Sequence, residues 1–86
     1  MTATLLQNRL NQEFTPTYLE IINDGREHEG HASAHGGGHF TVIIASEKFL
    51  GHNLVQRHRM VYAAVQELMQ THVHALSIKA YTPEEI

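Results

Sequence analysis

The spacing of hydrophobic residues changes from segment to segment along this chain, and these changes limit the folds available to it. Two segments carry apolar residues at helical spacing, and three shorter segments alternate apolar with polar residues. The helical segments are 6–14 and 61–68, and the alternating segments are 18–22, 40–45 and 75–81. A chain of 86 residues is one domain in length. The pattern therefore predicts an α+β domain, with a three-stranded sheet and helices packed on one face.

Local signals predict where the helices begin and end. Thr4 followed by Gln7 has the spacing of a capping box, which predicts a helix start, and Pro16 ends that helix. A short helical turn is predicted at residues 54–55, and the main helix is predicted from about residue 57 to residue 69. The predicted order is helix, strand, strand, short helix, helix, strand.

Glycine and histidine dominate the segment between the first two strands. Residues 25–38 read GREHEGHASAHGGG, with five glycines and three histidines. This composition offers nothing for a core, so we expect a flexible loop over residues 25–39, with His35 and His39 as residues of its end. Imidazole suits zinc, nickel and copper, so the loop predicts weak metal binding. Its histidines are His28, His31, His35 and His39.

Composition and charge exclude several classes of protein. The chain contains no cysteine, which excludes disulfides, a thiol nucleophile and a cysteine-based metal site of its own. Its net charge of −3 argues against a dedicated nucleic-acid clamp. Neither a membrane span of about 20 apolar residues nor a targeting signal is recognisable, so we expect a cytoplasmic protein that does not enter a membrane. No nucleophile with its base is recognisable, and we do not expect an enzyme.

Basic residues are concentrated around the predicted start of the main helix. Three consecutive residues, Arg57, His58 and Arg59, follow the glycine turn at Gly51, and Lys48 lies nearby. Cations at a helix N-terminus oppose the helix dipole, which weakly favours a functional explanation. They could bind an acidic partner surface, the carboxylates of glutathione or phosphates. The alternative is a solvated face with an ion pair to Glu47 or Glu67.

Two sequence motifs in this region resemble a known family. Residues 49–62, FLGHNLVQRHRMVY, match the pattern F-x-G-x-x-x-V-x-R-H-R-x-V-Y, and residues 74–76 read HAL. Together with TYLEIIND and HFTVIIASEKF, they resemble the BolA family over about residues 5–82. The resemblance implies a single BolA-like domain over residues 1–86. Its α-β-β-α-α-β fold would be similar to a type II KH domain.

The resemblance also implies a function. BolA-like adapters partner monothiol glutaredoxins and share a [2Fe-2S] cluster with the glutaredoxin and its bound glutathione. By resemblance, His74 is one ligand, and His28, or His31 three residues later, is the second. A [2Fe-2S] cluster has four ligands, two of which can be imidazoles. A chain without cysteine can supply only the imidazole half, so we expect no cofactor in the isolated chain.

The alternative function is that of a DNA-binding transcriptional regulator, a role also described in this family. KH domains clamp nucleic acid with a G-x-x-G loop. The corresponding turn here reads LVQRHRM and lacks the two glycines, and the net charge is negative. The segment from Arg57 to Arg59 remains a candidate phosphate contact.

Overall fold

The computed structural model describes residues 2–24 and 38–86. In this part of the chain three α-helices and three β-strands follow the order predicted from the sequence. They are α1 (Thr2–Phe14), β1 (Tyr18–Asn23), β2 (Gly38–Ala45), α2 (Leu54–Ala64), α3 (Gln66–Thr71) and β3 (Val73–Tyr81). Short 3₁₀ helices at Glu47–Phe49 and Pro83–Glu85 complete the described elements. None of the helices in these two ranges is long and apolar enough to cross a membrane.

The sheet has β2 at its centre, with the order β1-β2-β3. Strand β1 pairs antiparallel with β2, and β3 pairs parallel with β2. Alternation along β2 buries Phe40, Val42 and Ile44 on the face that the helices cover. The opposite face carries exposed or half-buried residues such as Thr41 and Ile43. The core includes Leu6, Leu10, Phe14, Phe49, Val61, Val65, Leu68, Leu76 and Ile78.

The first helix differs from its prediction at the start. It begins at Thr2, so Thr4 lies inside the helix and the predicted capping box at Thr4 is wrong. The helix ends at Phe14, two residues before Pro16, as predicted. Thr15 then takes a positive φ of 43°, and its N–H donates to the carbonyl of Asn11. This is the left-handed conformation that commonly terminates a helix.

The segment that the sequence predicts as one main helix forms two helices, α2 and α3. Helix α2 begins at Leu54. Asn53 and Gln56 form its capping box, because the side chain of each accepts a hydrogen bond from the backbone N–H of the other. At Val65 the backbone leaves helical geometry, with φ −112° and ψ 16°, and α3 starts at the next residue. The apolar spacing continues through this break, because Val65 and Leu68 are both buried. Hydrophobic spacing alone therefore does not reveal the break.

The second and third strands begin earlier than predicted. Strand β2 starts at Gly38 and β3 at Val73, so His39 and His74 are both strand residues. The expected flexible loop over residues 25–39 lies outside the described residues except for its last two positions. Those two positions are paired with β3, and the N–H of Gly38 donates to the carbonyl of His72.

Candidate metal-binding site

The sheet is irregular where β2 and β3 begin. Gly38 pairs with Val73, and His39 pairs with Ala75, so His74 is an extra residue on β3. Val73 and Leu76 are both buried although they are three residues apart, which strict alternation does not allow. A β-bulge resolves this conflict, because two residues of one strand then oppose a single residue of the other. His74 is left exposed at the bulge.

The bulge brings a second histidine against His74. The rings of His39 and His74 are stacked, with centroids 5.2 Å apart and an angle of 27° between their planes. His39 is itself exposed and lies on the opposite side of β2 from the buried Phe40. Two imidazoles therefore meet on the face of the sheet that the helices leave uncovered.

Sequence reasoning interpreted His39 as a loop-end residue and as one of four loop histidines for weak metal binding, but placed it neither in a strand nor beside His74. Its position two residues before Thr41, on the uncovered face of β2, could have identified it as a strand residue. Its contact with His74 depends on the parallel register and on the bulge, neither of which the sequence reveals. His28 and His31, the predicted loop ligands, lie outside the described residues, so their assignment stays a prediction.

Neighbouring polar groups are already engaged with other residues. The hydroxyl of Thr41 donates to the carboxylate of Asp24 at 2.5 Å. Nδ1 of His72 lies 2.6 Å from the hydroxyl of Thr71. Among residues 2–24 and 38–86, no group of three or more histidine or acidic side chains could hold a metal ion. Within these two ranges, His39 and His74 supply two of the four ligands of a tetrahedral coordination shell.

Arg57 does not belong to an outward-facing basic surface. Its side chain is buried, Nε donates to the carbonyl of His52 at 2.8 Å, and one terminal nitrogen donates to the carbonyl of Ala80 at 3.2 Å. The same nitrogen forms an ion pair with Glu85 at 2.7 Å. The sequence interpretation of Arg57 as a partner or nucleic-acid contact is therefore corrected: its guanidinium joins α2 to β3 and the C-terminal segment.

Glu85 is held in place from two directions. Its carboxylate accepts hydrogen bonds from the backbone N–H of Thr82 and from Arg57, both at 2.7 Å. The Thr82 hydrogen bond, followed by that of Arg57, holds the pKa of the Glu85 carboxyl below its usual value. The Thr82–Glu85 pair is a capping box for the last 3₁₀ helix, and the sequence TPEE carries its signal.

The other predicted contact residues do reach the surface. Lys48 and Arg59 are exposed, and His58 is half-buried at the wall of a groove between α2 and β3. Apolar side chains that sequence reasoning missed are exposed beside them. Leu50, Leu54 and Val55 are 55%, 63% and 59% exposed. We call Lys48, Leu50, Leu54, Val55 and Arg59 the helix-entry surface, because they lie before and within the first two turns of α2.

Tyr62, the last residue of the long motif, has a structural contact. Its hydroxyl donates to the carbonyl of Leu76 in β3 at 2.7 Å. Together with Arg57 it ties one face of α2 to the outer side of β3. The motif therefore combines side chains that hold α2 in place with side chains that α2 presents to solvent.

This arrangement of elements and motif residues corresponds to a recognised family. A family model described as BolA-like protein matches residues 10–85. The chain belongs to the BolA family. Relatives and solved structures of the same family agree with this assignment over almost the whole chain.

Three relatives illustrate the range of BolA proteins. SufE-like protein 1 of Arabidopsis thaliana, chloroplastic/mitochondrial, is 37% identical over 94% of this chain, and the chain spans 24% of that protein. The DNA-binding transcriptional regulator BolA of Escherichia coli is 34% identical over 99% of this chain and 79% of its own length. The structure of BolA1 from Arabidopsis thaliana matches with a TM-score of 0.86 and 40% identity, covering 98% of this chain and 94% of that one.

Proposed function

We propose that this BolA-like domain is a non-enzymatic adapter that binds a monothiol glutaredoxin and co-ligates a [2Fe-2S] cluster with it through His74. The observation that carries the proposal is the β-bulge that presents the His74 ring on the uncovered face of the sheet, beside a second imidazole. A buried ring would not support a ligand shared between two molecules.

The available donors fit a shared cluster better than a resident one. A [2Fe-2S] cluster needs four ligands, and His₂ on one iron is an established alternative to two thiolates. The chain has no cysteine, so the thiolates would come from the glutaredoxin and from glutathione. Neutral imidazole in place of thiolate removes negative charge and raises the reduction potential of the cluster.

The helix-entry surface supports a protein partner. It combines exposed apolar side chains with the cations Lys48 and Arg59. This composition resembles that of protein interfaces, which typically have an apolar centre and a polar rim. His58 adds a half-buried imidazole at the adjacent groove. In this proposal Lys48, His58 and Arg59 contact the glutaredoxin itself, and Arg57 maintains the fold of the surface.

The test is reconstitution. We expect the protein mixed with a monothiol glutaredoxin, ferrous iron, sulfide and glutathione to give visible absorption and circular dichroism spectra distinct from those of the glutaredoxin alone. His74→Ala should abolish the new spectrum. His72→Ala is the matched control, because this exposed histidine lies two residues away and its ring contacts Thr71. A mixed-complex spectrum that survives His74→Ala would refute the ligand assignment.

DNA binding is the second candidate function, and the name of the Escherichia coli relative favours it. The net charge of −3 and the inward orientation of Arg57 reduce the phosphate-binding surface. We would measure duplex binding as a function of salt. Tight, sequence-selective binding near physiological salt would make this the primary function. Replacing one phosphate-contacting cation, as in Arg59→Gln, should then reduce the salt slope by about 1.

The compartment stays a prediction. The relatives include a bacterial regulator and a protein of chloroplasts and mitochondria. The cytoplasmic location expected from the sequence therefore depends on the cell in which the chain is made. Localisation of the tagged full-length protein tests this directly.

A further inference from the structure

The stacked histidine pair carries an inference about which imidazoles this chain supplies. His39 and His74 come from neighbouring strands, and their rings face each other with centroids 5.2 Å apart. Both side chains are exposed, so hydrophobic burial does not explain the contact. The pair arises because the bulge places the extra residue of β3 on the same side as His39.

The spacing of the rings suits two ligands of a single metal. Two nitrogens that bind one tetrahedral metal at about 2.0–2.1 Å lie roughly 3.3 Å from each other. The donor nitrogens lie on the ring perimeters, so rotation about the side-chain torsions can bring one from each ring to that distance. The centroid separation of 5.2 Å is compatible with two rings that bind one metal.

The backbone of His39 is held in place by both of its neighbours in β2. The following residue, Phe40, is buried in the core, and the preceding Gly38 is hydrogen-bonded to His72. A ligand held on a strand loses little conformational entropy when it binds a metal. His39 is therefore a pre-positioned ligand.

We propose that His39, rather than His28 or His31, is the second imidazole that this chain contributes to the shared cluster, and that His39 and His74 bind the same iron. This inference rests on the proposed function. Each imidazole binds through the lone pair of one ring nitrogen. The remaining two ligands, on the other iron, are the thiolates of the glutaredoxin and glutathione, giving an arrangement of the Rieske type.

Substitutions at residue 39 separate ligation from ring stacking. His39→Phe keeps an aromatic ring against His74 but removes the donor nitrogens, and we expect it to lose the mixed-complex spectrum as His74→Ala does. His39→Cys restores a donor, so it should retain the cluster with a more negative reduction potential, because thiolate adds negative charge. His28→Ala and His31→Ala should keep the wild-type spectrum.

The opposite pattern overturns the inference without touching the proposed function. If His39→Phe gives the wild-type spectrum and His28→Ala or His31→Ala loses it, the loop supplies the second imidazole and His39 only stacks on His74. If wild-type protein gives no mixed-complex spectrum at all, the proposed function fails. The pair is then judged by the following measurement, which needs no partner.

Zinc binding to the isolated full chain tests the pair directly. In a background with His28, His31 and His35 replaced by glutamine, Zn²⁺ is added while ring ¹H–¹⁵N NMR signals are recorded. We expect the rings of His39 and His74 to shift together at the same zinc concentration. His39→Phe should weaken zinc binding at His74 by at least about tenfold, whereas His72→Phe should leave it unchanged. Independent shifts of the two rings would overturn the pair as a joint site.

Discussion

Replacing Arg57 by methionine should destabilise the domain strongly, although the sequence places this residue among surface cations. Methionine keeps most of the apolar stem and removes the guanidinium. The change leaves the carbonyl of Ala80 without its arginine donor, and Ala80 is only 2% exposed. It also removes the hydrogen bond to the carbonyl of His52. An unsatisfied buried carbonyl costs about 1–3 kcal/mol, and a lost hydrogen bond to a charged group about 1.5–3 kcal/mol.

The ion pair with Glu85 adds little to this total, because its carboxylate remains accessible to water and is screened. Water also replaces the lost donor at His52, which is exposed. We therefore expect the free energy of unfolding to fall by about 3 kcal/mol. For a domain of this size, each kcal/mol corresponds to roughly 4–8 °C in Tm, so the expected decrease is about 12–24 °C.

Urea denaturation and thermal melting followed by circular dichroism measure this effect. Arg59→Met is the matched control, because Arg59 is exposed and its replacement should change stability by no more than about 0.5 kcal/mol. The m-value should stay constant, so that only the midpoint moves. If Arg57→Met and Arg59→Met have stabilities within about 1 kcal/mol of each other, Arg57 does not stabilise the fold as its contacts indicate.

Three further perturbations test other contacts. Because the folded-state pKa of Glu85 is lowered, its contribution to stability is present above the ordinary carboxyl pKa of 4.5 and is lost as pH falls through the folded value. Glu85→Gln should therefore flatten the acid side of a plot of urea midpoint against pH, and an unchanged plot would contradict this. Tyr62→Phe removes the hydrogen bond to the carbonyl of Leu76, so urea denaturation should show a free energy of unfolding lower by about 0.5–1.5 kcal/mol. An unchanged value would mean that water replaces this hydrogen bond. Gly38→Ala places a Cβ 2.5 Å from the ring of Phe40, so thermal melting should show a free energy of unfolding lower by about 1–3 kcal/mol. Wild-type stability would mean that the Phe40 ring moves aside freely.

Most of the fold was predictable because alternation and helical spacing are local properties. The three strands, the order of the elements and the covered face of the sheet follow from which residues are apolar. The break at Val65 was not predictable in this way, since burial continues through it on both sides. The start of β2 was missed because Gly38 and His39 resemble the preceding loop in composition, and their strand conformation comes from pairing with β3.

The candidate site was predictable only in part, because its geometry depends on contacts between distant segments. His74 and the exposed cations Lys48 and Arg59 were identified from motifs. Predicting the inward orientation of Arg57 would have required knowing that it lies beside Ala80, in a strand 23 residues later. The partnership of His39 with His74 required a parallel register and a bulge, which arise from packing of the whole sheet.

The contacts that Arg57 and Tyr62 make with β3 have a further consequence for how copies of the protein behave together. Strand β3 lies at the edge of the sheet, where unpaired backbone groups can template pairing with another chain. The hydroxyl of Tyr62 donates to the carbonyl of Leu76, and the guanidinium of Arg57 donates to the carbonyl of Ala80. Both carbonyls lie on the side of β3 that faces away from β2. Exposed Lys79 places a charge between them. The same side chains that hold α2 in place thus protect this edge against aggregation through intermolecular strand pairing.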